Sequence, residues 1–138
     1  MKETILSIAG KAGLYRLVSQ GRGMLIVENI DGSGRRIPAS GRDRVTSLND
    51  VSMYTDEGDR PLTDIFEAIR QKYDGQAVPV DYKGADNGEL TAFMAGVVPD
   101  YDRDRVHMSD IRRLIQWYNI LQAAGVTDFA ENPEQAAE

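Results

Sequence analysis

The chain contains no cysteine and a single histidine, His107. The first absence excludes disulfides, thiolate nucleophiles and cysteine-held zinc or iron–sulfur centres. The second excludes any multi-histidine metal site within one chain, and no metal and no cofactor is expected. A chain without cysteine fits a reducing compartment, so a cytoplasmic setting is expected. Long hydrophobic runs are missing as well. The apolar stretches at 24–27 and 95–98 are far too short to span a bilayer, so no membrane association is expected. The first residues lack a basic stretch leading into an apolar core with a small-residue cleavage site, so no signal peptide is expected.

What is present changes character near residue 55. Residues 1–52 carry eight Lys/Arg against five Asp/Glu, a net +3, whereas residues 53–138 carry eight against seventeen, a net −9. The first stretch reads as short strands separated by turns and the second as amphipathic helices. Hydrophobic residues make up 41% of the 138 and charged residues 28%, the proportions of a soluble globular protein. A β module of some 50 residues buries only about 60% of its unfolded surface, so it is expected to lean on the helical half.

Apolar and β-branched segments at 4–8, 14–19, 24–30 and 35–39 are broken by the clusters Gly10-Lys11-Ala12-Gly13, Gln20-Gly21-Arg22-Gly23 and Asp31-Gly32-Ser33-Gly34. Pro38 suits an edge strand or a bulge better than a central position. Residues 45–48 lead into a brief Ser-Leu-Asn-Asp turn, and 51–55 (VSMYT) alternate as a final strand. Five short strands at this spacing predict a small curled barrel of the SH3-like or Tudor-like class over residues 1–55. Asp56-Glu57-Gly58-Asp59 is expected to be a linker.

Pro61 is expected in the first turn of a helix, where its missing N–H costs nothing. Leu62, Ile65, Phe66, Ile69 and Tyr73 follow the spacing of one helical face, and Asp74-Gly75 closes it. Leu90, Phe93, Met94 and Val97 mark a second helix, stopped by Pro99. A third starts from an N-cap at Ser109, presents Ile111, Leu114, Ile115, Tyr118 and Leu121, and ends at Gly125. These three helices form a module over residues 60–125, and the acidic tail at 130–138 is expected to be disordered. The fold class is therefore α+β: a small N-terminal SH3-like β-barrel followed by a three-helix C-terminal module.

Three segments occur together: LSIAGKAGLYRLVSQ at 6–20, VSMYT at 51–55, and YDRDRV at 101–106 continuing into SDIRR at 109–113 and WYN at 117–119. With them the chain resembles a family of small proteins of unknown function from the Bacteroidetes lineage, over roughly residues 4–129. The resemblance implies an N-terminal β domain joined to a mainly helical C-terminal domain, in a bacterial cytoplasm. It brings no catalytic residue and no ligand.

Chemistry-bearing patterns are sparse. Asp100, Asp102 and Asp104 alternate like the opening of a calcium loop, but the sixth and twelfth positions are Arg105 and Ile111 instead of glycine and a carboxylate. The segment is expected to be a solvated, self-paired loop that helps cap the third helix. His107 has no neighbouring nucleophile motif, so it is expected to be a surface or partly packed histidine, and no enzymatic activity is predicted. Gly10-Lys11-Ala12-Gly13 lacks phosphate-loop spacing and Gly32-Ser33-Gly34 precedes no helix, so both are turns.

The basic residues of the β half, Lys11, Arg16, Arg22, Arg35, Arg36, Arg42 and Arg44, have two readings: they hold the acidic helical half, or they form a binding patch. Arg35 and Arg36 are adjacent on a strand and point to opposite faces, so they line one groove only with a bulge. On the third helix Trp117 lies at the edge of the apolar face and Ile120 opposite it, near Arg113. Burial against the barrel and a homodimer contact both account for that placement. The sequence therefore predicts a non-enzymatic interaction or scaffolding module with an unknown protein partner or a second copy. Weak nucleic-acid binding through the basic residues is the alternative.

Overall fold

A computed structural model describes residues 3–11, 13–40 and 43–129. Its first half is an antiparallel sheet of five strands: β1 (Ile5–Ile8), β2 (Tyr15–Gly21), β3 (Met24–Asn29), β4 (Arg36–Ser40) and β5 (Val45–Ser47), in the order β4-β3-β2-β1-β5. A 3-10 turn, Leu48–Asp50, leads out of the sheet into a two-stranded hairpin of β6 (Ser52–Thr55) and β7 (Gly58–Pro61). Three helices follow: α1 (Leu62–Lys72), α2 (Asn87–Val97) and α3 (Met108–Ala123). Among the described residues no helix is long and apolar enough to cross a membrane. The expectation placed on the tail at 130–138 lies outside the described residues.

The sheet is apolar on both faces. Leu6 and Ile8 of β1, Tyr15 of β2, Val27 of β3 and Ala39 of β4 form one buried cluster, with Leu17, Leu25, Ile37 and Val45 packed on it. These side chains come from all five strands and alternate along each, so the sheet curls around them. A register shift between Leu17 and Ser19 supplies a bulge in β2 and increases its bend. Ile5, Leu14 and Ile30 face the other way and join Leu48, Met53 and the helices in a second, larger cluster. Both halves of the chain thus contribute to one core.

Two assignments change. Residues 51–55 are not the closing strand of a barrel; the three residues Val45–Ser47 pair with Leu6–Ile8 in the fifth position instead. With Leu48 fully buried just after β5, the chain turns off the sheet, and β6 pairs with β7 through Ser52↔Pro61 and Thr55↔Gly58. The segment expected to be a linker is the turn and second strand of that hairpin, with Gly58 at φ +117°. Among the described residues β4 and β5 remain unpaired edges, so the sheet is open. The chain is a mixed α+β protein with an N-terminal antiparallel sheet and three helices. Pro38 does lie on an edge strand. It opposes Ile26, and because Asn29 N donates to Arg35 O two rungs away from the neighbouring bonded pair, the ring nitrogen of Pro38 faces outward.

Helical periodicity is realised closely. Leu62, Ile65, Phe66 and Ile69 of α1 are buried, as are Leu90, Phe93, Met94 and Val97 of α2 and the five expected residues of α3. Pro61 sits one position earlier than expected, at the N-cap, because it also ends β7. The N-cap of α3 is His107 and not Ser109: the Asp110 carboxylate accepts from His107 N at 3.0 Å, which starts the helix two residues sooner. α1 stops where Asp74 and Gly75 both take positive φ (+53° and +76°) and Gly75 N donates to Arg70 O. The α2 cap is Asp86, whose carboxylate accepts from Glu89 N at 2.8 Å. Asp86→Ala is expected to lower stability by about 1 kcal/mol, read as a fall in thermal midpoint.

Candidate functional site

The third helix organises the surface where the two halves meet. Arg112, Gln116, Asn119 and Ala123 recur at helical spacing along one side of it. Arg112 donates to three backbone carbonyls: Tyr82 O at 2.6 Å, Lys83 O at 3.3 Å and Ala85 O at 2.9 Å. Asn119 accepts from Val78 N at 2.8 Å and donates to Val78 O at 3.4 Å, the pairing a neighbouring strand would give. Tyr118 OH reaches Gln76 O at 3.3 Å, and burial raises its phenol above the ordinary range. The irregular segment from 76 to 86 is thereby laid along α3 and held by side chains instead of a ladder.

Between that segment, α3 and the outer face of the sheet lies a groove of about 670 Å³. Arg16, Glu28, Asn29 and Asp31 come from the sheet side, Tyr82 from the irregular segment, and Gln116, Asn119, Ile120 and Ala123 from α3. Ile30, which is buried, also lines it. The sheet wall is charged, and the α3 wall mixes the amides of Gln116 and Asn119 with Ile120, Ala123 and Ala124.

Its charged wall is a cross-strand ladder. Glu28 stands directly opposite Arg16 on β2 and Arg36 on β4, at 3.8 and 3.3 Å. Arg16 Nε is enclosed and lies 3.3 Å from Glu3, close enough for an ion pair but without hydrogen-bond geometry. The β3–β4 turn is wound on its own side chains: Asn29 Oδ1 accepts from Asp31 N, Asp31 Oδ1 from Ser33 N, and Ser33 Oγ from Arg35 N. The Ser33 hydroxyl and N–H hold the Asp31 carboxyl below its usual range, so it stays ionised at the rim.

The basic residues singled out in the sequence occupy different places. Lys11 and Arg44 stand at one end of the sheet, where Lys11 N donates to Ile8 O and Arg44 O accepts from Ala9 N. Arg35 is at that same end in the β3–β4 turn, Arg22 is in the β2–β3 turn at the opposite end, and Arg16 and Arg36 flank Glu28 on the face between. Arg42 lies outside the described residues. Of the interface candidates, Ile120 lines the groove with Arg16, whereas Arg113 and Trp117 line a separate cleft beside β6. Trp117 and Ile120 are both half-buried against the larger core.

The aspartate-rich loop is self-paired. Asp102 accepts from Asp104 N and Arg105 N and pairs with Arg105 at 3.6 Å, while Asp102 N donates to Tyr54 O. A bridge between Tyr101 and Thr55 docks the loop on β6. Among the described residues no group of His, Asp and Glu is placed to hold a metal ion. His107 is exposed and lines none of the cavities described.

Sequence reasoning missed Tyr54, Tyr82, Arg112, Gln116 and Asn119. A polar stripe at 112, 116 and 119 on an otherwise amphipathic helix is the signal that points to three of them.

Comparison with known proteins follows the same two-part layout. Residues 3–48 match the model of a domain of unknown function, DUF5606, and residues 51–121 match a second, DUF6852. The junction falls in the 3-10 turn at Leu48–Asp50. A solution NMR structure from Bacteroides vulgatus, a structural-genomics target, is 51% identical and superposes with a TM-score of 0.78, covering 100% of this chain and 96% of that one. No curated protein matches. With half of its length matched by that second model and a Bacteroides relative aligned end to end, the chain belongs to the Bacteroidetes DUF6852 family, in the arrangement where DUF5606 precedes it.

Proposed function

We propose that the protein is a non-enzymatic, cytoplasmic interaction module that seats an extended segment of a partner protein in the groove between the sheet and α3. The observation that carries this reading is the composition of the groove: a cleft of about 670 Å³ with one ion-paired wall and one wall where Ile120, Ala123 and Ala124 stand beside the amides of Gln116 and Asn119. Clefts of this mixed kind bind through an apolar contact oriented by a few polar groups. No nucleophile–base pair lines it, and its arginine is already engaged by two carboxylates.

We read the sheet as an SH3-like half-barrel. Its meander order and single apolar concavity support that reading, as does a cavity of about 290 Å³ lined by Ala39 and Ser40 of β4, the β2–β3 turn and Val45. Nucleic-acid binding is the less supported alternative, because Glu28 stands between Arg16 and Arg36 and the remaining cations are divided between the two ends of the sheet.

The test uses two variants on the helical wall, Ile120→Glu and Ala123→Glu. Ala123 is exposed, so its variant should keep the unfolding midpoint, whereas half-buried Ile120 should lose some stability; in both, capture of partner proteins from a native Bacteroidetes lysate should fall about tenfold or more. Retention of the same partners by both variants would refute the groove. RNA retardation at low salt that weakens steeply between about 50 and 200 mM would favour the nucleic-acid alternative.

A further inference from the structure

The chain has five asparagines, and one of them, Asn87, precedes a glycine. The others precede Ile30, Asp50, Ile120 and Pro133, larger residues that hinder the following backbone nitrogen or, at proline, remove its proton. Asn87 and Gly88 are the first two residues of α2, within the exposed stretch 86–89. In that first turn a backbone N–H has no helical acceptor. Gly88 N donates no hydrogen bond among the described residues, and the Asn87 carboxamide makes none. An uncommitted nucleophile therefore follows an uncommitted electrophile in the chain.

The helical backbone angle at Asn87 keeps its Cγ away from Gly88 N, so the turn must open before the two meet. Few bonds resist that opening. Asp86 accepts from Glu89 N through its carboxylate at 2.8 Å and from Leu90 N through its carbonyl at 3.1 Å, and Thr91 Oγ1 donates to Asn87 O at 2.6 Å. Helix ends open at little free-energy cost, and Gly88, without a Cβ, rotates readily when this one does. Two aspartates also precede glycine, and neither pair meets these conditions. After Asp74, Gly75 N is tied to Arg70 O, and before Gly32 the Asp31 carboxyl accepts from Ser33 N and stays ionised, which makes it a poor electrophile.

We propose that Asn87-Gly88 is a site of spontaneous backbone modification, where the folded chain deamidates and isomerises without an enzyme. Gly88 N gives its proton to a solvent base and bonds to Asn87 Cγ. The carboxamide C–N bond breaks, ammonia leaves, and a succinimide ring closes. Water then opens the ring at either carbonyl, leaving aspartate or isoaspartate at 87; no electrons are transferred. Aspartate puts a carboxylate in the first turn, which the helix dipole favours. Isoaspartate adds a methylene to the main chain between Asp86 and Leu90, so Asp86 no longer reaches both Glu89 N and Leu90 N. Leu90 is fully buried, so this form loosens the start of α2. The site lies outside the groove and does not depend on what the groove binds.

The test ages the full chain in mildly alkaline buffer at body temperature. Peptide mapping follows the exchange of one NH for one O, and electron-transfer fragmentation separates aspartate from isoaspartate. Both products should accumulate at 87, faster at higher pH, while Asn29, Asn49 and Asn119 stay intact. Gly88→Ala should slow conversion by about tenfold or more. Asp86→Ala, which removes the cap, should speed it. The isolated isoaspartyl form should exchange the amides of 88–91 faster than fresh protein. The proposal is overturned if residue 87 stays intact in the folded chain while a peptide of residues 83–92 converts. It is equally overturned by an unchanged rate in either variant, or by unchanged amide exchange in the isoaspartyl form.

Discussion

Leu48→Ala lowers stability by about 2–5 kcal/mol and leaves a single unfolding transition for the whole chain. Leu48 is fully buried, and it sits in the 3-10 turn where the sheet gives way to the hairpin and helices. It belongs to the cluster that joins Ile5, Leu14 and Ile30 of the sheet side to Phe66, Tyr118 and Phe129 of the helical side. Truncation leaves a cavity touching both halves, so neither is spared. Two probes check this. Tyrosine and tryptophan signals report mainly on the helices, and far-ultraviolet circular dichroism sees the sheet as well; their midpoints in urea should shift together. Two separated transitions would mean that the halves are independent folding units that merely touch.

Asn119→Ala has the second large effect, roughly 2–3 kcal/mol, because it removes two hydrogen bonds and leaves the amide and carbonyl of buried Val78 without their side-chain partner. The damage is expected to be local in space. Amide exchange should accelerate at 76–80 and leave β1–β3 unchanged. Since Tyr82 and Asn119 both line the groove, this variant should also weaken partner capture, whereas Asp86→Ala, with a comparable kind of lesion elsewhere, should not. A loss of exchange protection spread evenly over the chain would contradict the assignment of Asn119 as a clamp on one segment.

How much of this was legible depends on length and on distance along the chain. The helices were readable because eleven to sixteen residues repeat an apolar face three or more times. β5 has three residues, too few for any alternation to register, so the better-patterned VSMYT segment took its place in the expected sheet. β7 was read as linker because Gly58 and Asp59 carry no strand preference; its pairing is imposed by the hairpin turn and by packing of β6 on the helices. The groove was invisible as a unit. Arg16 and Ile120 were each picked out for separate reasons, but they lie about a hundred residues apart, and only the docking of α3 on the sheet side makes them neighbours. Arg113 and Ile120 share one face of α3 but line different clefts, because two helical turns, about 10 Å along the axis, lie between them.

The outward-facing ring of Pro38 has a consequence for the protein in crowded solution. An open sheet invites a stranger's extended chain to add on at its border, and repeated addition is how fibrils grow. At β4 the central donor is missing and Ser40 N is already satisfied by the Asp43 carboxylate at 2.8 Å, so an incoming chain finds too few handholds to nucleate. A Pro38→Val exchange would restore that donor without disturbing the pairing with β3, and concentrated samples of it should turn cloudy or bind thioflavin T where the natural sequence stays clear.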